Sequence, residues 1–284
     1  MAVAIVTDTC HYLSRELIER CGIHQVSLYV HFGDHAQRES DIDDYDAYYA
    51  RLADLAALPT TSQPSIGDFL SVYEPLLAHE HDEIVSIHLA GGMSGTVRAA
   101  DQAREQLGRR ADRVHVVDSA TACGGEGLVV LAAAAAARAG ADGPAVAERA
   151  QRARAQLKLW FAIDTLEYLK RGGRIGGAQA WLGATFKIKP ILTVESEITP
   201  IERVRTSRRA FERMVDLLGT RHQDGADGWM VQHIQAPDEA AQLAARGTEI
   251  FGCEPVVVSE IGPVIGSHVG PGLLGAGALP SAFL

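Results

Sequence analysis

The sequence is short of several things that would mark a familiar class. It has four cysteines in 284 residues (Cys10, Cys21, Cys123 and Cys253), and no two stand at C-x-x-C spacing. That argues against a disulfide framework or a structural zinc site, and for reduced, packed thiols. Basic residues are in deficit: 26 Lys and Arg face 36 Asp and Glu, a net charge of −10. A general nucleic-acid binder works by setting lysine and arginine against phosphate, so this balance speaks against that class. The longest apolar run, residues 128–137, is mostly alanine. A membrane span needs roughly 20 residues, so this one reads as a buried helix. The opening Met1-Ala2-Val3-Ala4-Ile5-Val6 has no basic n-region and is too short for a signal peptide. The expectation is a cytoplasmic protein with no stable membrane insertion. Glycine and proline, at 28 and 11, are too few for a collagen-like repeat.

What is present reads as globular. Hydrophobic residues make up 47% and charged residues 22%, enough for a core, and the length fits one large or two ordinary domains. Short β-branched runs alternate with helical patterns. Strands are predicted over 3–7, 24–30, 83–89 and 113–117, with helices from about Ser14, over 45–58, from about Ile66 and over 97–108. Strand, helix, strand is the signature of a parallel sheet. A first α/β domain is placed at 1–157. In the second half a strand over 158–163 leads into an amphipathic turn at 164–171. Strands over 191–194 and 198–204 then flank a hairpin turn at Glu195-Ser196-Glu197. A helix from Thr206, a strand over 228–234, a helix over 238–251 and a strand over 255–259 follow. Adjacent strands without an intervening helix predict a mixed or antiparallel sheet, in a second α/β domain at 158–284. No repeat of fixed period is present.

Four segments carry chemistry. Pro59-Thr60-Thr61-Ser62-Gln63-Pro64-Ser65 joins two predicted helices. Ser65 with Asp68 reads as a capping box, which leaves Thr61 and Ser62 available to a ligand. Leu89-Ala90-Gly91-Gly92-Met93-Ser94-Gly95-Thr96 lies where a strand ends and a helix begins, the place where open α/β sheets bind ligands. It fails the G-x-S-x-G elbow because Thr96 takes the last glycine position. Residues 262–272 form a glycine-rich loop around His268. Gly270-Pro271-Gly272-Leu273-Leu274-Gly275 spells G-x-G-x-x-G, but too little chain follows for a Rossmann unit, and no P-loop pattern occurs. Finally, residues 170–213 hold ten basic against four acidic side chains, a local +6 that leaves −16 for the rest. This island reads as a docking surface for an anionic partner or phosphate, or as a solvated face. The acidic and histidine-rich run at 79–83, and His31 and His35, read as solvated rather than metal-binding.

Taken together and in order, these segments resemble the DegV family. The resemblance rests on Ile5-Val6-Thr7-Asp8, Thr61-Ser62-Gln63-Pro64-Ser65, Met93-Ser94-Gly95-Thr96, Val117-Asp118-Ser119 and Asp164-Thr165-Leu166-Glu167. It continues through Gly172-Gly173-Arg174-Ile175, Ile188-Lys189-Pro190-Ile191-Leu192 and His268-Val269-Gly270-Pro271-Gly272. It covers essentially the whole chain. It implies two α/β domains with one long-chain fatty acid buried between them. The carboxylate would be held by hydroxyls matching Thr61, Ser62 and Ser94 and by a histidine matching His268. It also implies a carrier rather than an enzyme: a separate ATP-binding fatty acid kinase subunit phosphorylates the bound carboxylate to an acyl phosphate for phospholipid synthesis.

No cofactor or metal is expected beyond the acid, and membrane contact would be transient. Arg174, Arg203 and Arg205 of the basic island are expected on the face that docks the kinase. The sequence departs from the family pattern at Gly91-Gly92, at Arg38-Glu39-Ser40-Asp41 and at Glu202, where a lysine is usual. Two other readings stay open. One is a serine esterase with Ser94 as nucleophile, His268 as base and Asp118 as orienter. The other is a lipid-sensing regulator without a kinase.

Overall fold

The computed structural model describes residues 2–54, 57–79, 83–182 and 188–284. The N-terminal half runs β1 (Val3–Asp8), α1 (Arg15–Cys21), β2 (Ile23–Val26), β3 (Tyr29–Phe32), β4 (His35–Arg38), α2 (Tyr45–Asp54) and β5 (Thr60–Ser62). It continues with α3 (Ile66–His79), β6 (Glu83–His88), α4 (Thr96–Gln106), β7 (Val114–Asp118), α5 (Gly124–Arg138) and α6 (Gly143–Gln156). Strands β2-β1-β6-β7, in that order, form a parallel sheet. Five of the six residues in both β1 and β6 are buried, because helices cover both faces of a parallel sheet and its strands read as unbroken apolar runs. β3 pairs antiparallel with β4 and β5 in a separate three-stranded sheet.

The C-terminal half runs β8 (Lys158–Ala162), α7 (Glu167–Arg171), β9 (Lys189–Glu195), β10 (Glu197–Val204) and α8 (Ser207–Gln223). It ends with β11 (Gly228–Ile234), α9 (Pro237–Phe251), β12 (Val257–Glu260), α10 (Pro263–Val269) and β13 (Leu273–Leu279). Here the sheet is mixed, in the order β10-β9-β8-β13-β11-β12. Among the described residues only β11 and β12 run parallel in this sheet; the other pairs are antiparallel. The molecule is thus α/β throughout, a parallel sheet with helices followed by a mixed sheet with helices, as expected.

Several expectations need correcting. The single strand expected over 24–30 is two strands in different sheets. The chain breaks at Ser27, whose hydroxyl bonds the Leu28 carbonyl and accepts from the Ser40 N–H. The 59–65 connection holds a short strand, β5, that pairs with β3. The loop expected at 262–272 is mostly helix α10, with Pro263 in its first turn and Gly270 (φ +78°) beyond its end. The G-x-G-x-x-G run opens into β13, a fully buried strand between β8 and β11 that the sequence reading missed. Of the histidine- and acid-rich run, residues 80–82 lie outside the described residues, as does Lys187 of the basic island.

One apolar cluster joins the two halves, from Ile5 and Val85 in the parallel sheet to Leu159, Phe161 and Leu273 in the mixed sheet. A second cluster sits behind the mixed sheet around Trp229, which stacks on Phe251 with centroids 5.1 Å apart. The alanine-rich run is helix α5, its first eleven residues all buried. Among the described residues no helix is long and apolar enough to cross a membrane.

Candidate functional site

A cavity opens into the shared core where the two halves meet. Its walls are apolar: Leu89 and Ala122 from the first half, Leu159, Phe161, Val194 and Leu273 from the second. Its polar lining includes Thr61, Ser62, Gln63, Ser94, His268 and Arg174. The four residues expected to hold a carboxylate therefore all face one cavity, although they come from three separate segments. Ser94, Gly95 and Arg174 also line a groove on the outside, together with Arg98 and Glu105. Ser94 thus stands at the junction of cavity and surface.

The segment bearing Ser94 is held by the ends of the parallel strands. Asp8, fully buried at the end of β1, accepts from the Leu89 N–H (3.1 Å), the Cys10 N–H (2.9 Å) and the ring of His88 (3.1 Å from Nδ1). The Ala90 N–H bonds the Thr121 carbonyl at 2.7 Å, and Asp118 accepts from the N–H groups of Gly91 and Ala120. Gly92 answers to close packing, since a Cβ there would stand 2.4 Å from the Ser196 carbonyl oxygen at the β9–β10 turn. Gly92 thus seats the loop against the other half. Ser94 Oγ lies 2.8 Å from Thr96 Oγ1 and accepts from the Thr96 N–H at 3.3 Å. A Thr96 hydroxyl that donates to Ser94 leaves the serine proton for a ligand.

Thr61 and His268 are brought together by β5 and α10. The Thr61 hydroxyl lies 2.7 Å from Nε2 of His268, whose Nδ1 is buried with no hydrogen-bond partner among the described residues. Burial, reinforced by the Arg174 charge, lowers the His268 pKa to about 4, so the ring is neutral near pH 7. A proton on Nδ1 would be a buried, unpaired N–H. The tautomer with the proton on Nε2 avoids that cost and donates to Thr61. Thr61 then points its own proton into the cavity. Ser62 is engaged by His31, 2.8 Å from Nε2 to Oγ.

Helix α10 is clamped from the first half. Glu39, 3% exposed, accepts from the Val264 N–H (2.8 Å), the Tyr12 hydroxyl (2.9 Å) and the Thr9 hydroxyl (2.5 Å). The Tyr48 hydroxyl lies 2.7 Å from Ser267 Oγ, and Tyr49 donates to the Ile261 carbonyl at 2.6 Å. Desolvation pushes the Glu39 pKa up to about 7. His31, expected to be solvated, is instead half-buried and paired with Ser62. Glu39, not singled out as a site residue, reaches α10 from another segment, whereas Thr96 acts on Ser94 within its own segment.

The arginines separate. Arg174 lines the cavity mouth and donates to the Met93 and Gly172 carbonyls (3.4 and 2.7 Å). Arg203 and Arg205 are exposed, Arg203 with its guanidinium 5.2 Å from the Trp181 ring centre. Neither lines the cavity. Among the described residues no hydrogen bond links Ser94, His268 and Asp118. The serine is paired with Thr96, the histidine with Thr61, and the aspartate with backbone N–H groups. That is not the wiring of a serine esterase, in which base and nucleophile bond each other.

The comparisons with known proteins agree with this architecture. The family model described as "Uncharacterised protein, DegV family" matches residues 2–281. The chain belongs to the DegV family. A DegV domain-containing protein of Clostridium acetobutylicum is 39% identical over 282 residues, covering 97% of this chain and 96% of that protein. Among solved structures, a DegV family protein from Thermus thermophilus described by its fatty acid binding superposes with a TM-score of 0.88. It is 35% identical, and the match covers 99% of this chain and all of that one. DegV of Bacillus subtilis, described as a fatty acid binding protein, superposes with the same TM-score at 33% identity, over 98% of this chain and 99% of that one.

Proposed function

We propose that this DegV protein binds one long-chain fatty acid in the cavity, its tail among Leu159, Phe161 and Leu273 and its carboxylate at Thr61, Ser62, Ser94 and His268. The observation that carries the reading is that one cavity with apolar walls is faced by the neutral donors of Thr61, Ser62, Ser94 and His268, with Arg174 at its mouth. The relatives described as fatty-acid-binding, at 33% and 35% identity over nearly the whole chain, support it. Burying about 15 methylenes at about 0.8 kcal/mol each supplies on the order of 12 kcal/mol. A buried carboxylate must be hydrogen-bonded, and the Thr61 and Ser94 hydroxyls supply donors without neutralising it.

The same reading extends to a role as carrier. A carboxylate held by hydroxyls keeps its nucleophilic lone pairs, and the groove outside Ser94 and Arg174 gives an ATP-dependent kinase subunit a way to it. One carboxylate oxygen would attack the γ-phosphorus of ATP, the bond to the bridging oxygen would break, and acyl phosphate and ADP would result. The chemistry belongs to the partner; this chain holds and orients the acid. Organic extraction of the pure protein with mass spectrometry tests the binding. A near-stoichiometric long-chain acid is expected, and recovery of a nucleotide, or of nothing in repeated preparations, would overturn it. Adding a kinase subunit and ATP should then yield acyl phosphate from the loaded protein alone.

A further inference from the structure

β13 carries two glycines on the face it turns toward the shared core, Gly275 and Gly277, between the core residues Leu273 and Leu279. A glycine inside a strand weakens it and marks a place where something approaches closely. At Gly277 that something is the protein itself. A Cβ there would stand 2.8 Å from Leu159 Cβ, 2.9 Å from the Lys158 carbonyl oxygen and 3.0 Å from Met230 Cε. At Gly275 the protein makes no such demand. The nearest atoms to a Cβ would be Leu273 Cδ2 and Phe161 Cβ at 3.5 Å and the Gln232 carbonyl oxygen at 3.6 Å, all ordinary contacts. Gly275 nevertheless lines the cavity, and Gly277 does not.

The two positions mark where β13 leaves the cavity's lining. β13 borders the cavity as far as Ala276, and at Gly277 the strand is covered by Leu159 and Met230, which line the cavity in its place. Gly275 is the uncovered glycine of the pair, two residues beyond Leu273, or about 7 Å along the strand. We infer that Gly275 is a specificity-determining residue: its missing side chain is room kept for the far part of the bound acyl chain, so residue 275 sets how long a chain fits. This rests on the fatty-acid reading above. The backbone at Gly275 has no positive φ, so alanine and valine are sterically acceptable to the strand, and valine favours it.

The test is a competition. Wild type, Gly275→Ala and Gly275→Val are each offered an equimolar series of saturated acids of graded length, and the bound acids are extracted and measured by mass spectrometry. The valine side chain should displace the tail end by about two to three methylenes, the volume it adds. The bound distribution of Gly275→Val should shift to shorter acids by that amount, with alanine between. Acids too long for the variant should lose about fourfold in affinity for each excluded methylene. Gly275→Ala, which adds only an ordinary contact, keeps the test open if the valine variant does not fold. An unchanged distribution in the folded variants, or a loss equal at every chain length, would overturn the assignment. A wild type that takes up no acid of any length would instead remove the fatty-acid reading, and this inference with it.

Discussion

The ring of His268 lies 2.7 Å from the hydroxyl of Thr61, although 207 residues separate them. The contact joins a short strand of the first half to a short helix of the second. His268 is held neutral by burial and by Arg174, so it serves as a donor that aims a second donor. The proton of Thr61 is left for the cavity, and the histidine adds no cation that would neutralise a bound carboxylate. A change at either segment should therefore be felt as a change in how an anion is held, with the apolar walls untouched.

The first prediction follows from that chain of donors. Removing a hydrogen bond to a charged group costs about 1.5–3 kcal/mol, roughly 10- to 150-fold in affinity. Ser94→Ala and Thr61→Ala should each weaken fatty-acid binding by an amount in that range, measured by displacement of a fluorescent acid. The apolar walls should still retain some ligand. Unchanged affinity in both variants would remove these hydroxyls from the site.

A second prediction concerns Gly172. A Cβ there would lie 2.4 Å from Nδ1 of His268, so the chain at 172 closes over the ring only because it is glycine. Gly172→Ala should push the ring off Thr61 and open it to water. The His268 pKa, followed by NMR, should rise from about 4 toward its ordinary 6.5, and affinity should fall about tenfold or more, the cost of one charge-assisted hydrogen bond. A His268 titration unchanged from wild type would show that the loop shifts instead.

Much of this was legible in the sequence. The parallel strands, the Glu195-Ser196-Glu197 hairpin with Ser196 at φ +64°, and the capping box of Ser65 and Asp68 all follow from local chemistry. So did the membership of Thr61, Ser62, Ser94 and His268 in one group, through the family resemblance. β13 was not legible because Leu273-Leu274-Gly275-Ala276-Gly277-Ala278-Leu279 lacks β-branched residues; its strand state comes from β8 and β11 on either side. Helix α10 had readable signals, Pro263 at its start and Gly270 after its end, but the glycines between drew attention to a loop. Glu39 was hidden for a different reason: its partners Thr9, Tyr12 and Val264 are distant in sequence, and nothing local marks a carboxylate as buried.

The third prediction is a pH dependence with a definite sign. Burial raises the Glu39 pKa from 4.5 to about 7, so folding favours its protonated form. The stability it contributes is complete below pH 4.5 and is lost as pH rises through 7, by up to about 3 kcal/mol. Glu39→Gln, which keeps an acceptor for the Val264 N–H and does not ionise, should escape that loss. Denaturant unfolding between pH 4.5 and 7.5 should show the variant gaining on wild type as pH rises. A constant difference across that range would mean that Glu39 does not titrate there.

The last prediction concerns docking, where the structure sorts the basic island. Lys189 is paired with Asp164, and Arg213 with Glu202 (2.6 Å) and Asp216 (2.8 Å). Glu202 thus has a local partner and offsets one positive charge of the island. Arg174 borders the cavity mouth and should affect loading and coupling together. Arg203 and Arg205 stay exposed beside Ile201, itself 43% exposed, a combination of apolar surface and positive charge suited to an acidic partner face. Charges at an interface rim act mainly on association rate and salt dependence. Arg205→Glu should therefore leave the bound acid in place while lowering acyl-phosphate formation by a kinase subunit, more strongly at low salt than at high. If the variant instead loses its lipid while the loaded fraction couples normally, Arg205 supports the pocket and the docking face lies elsewhere.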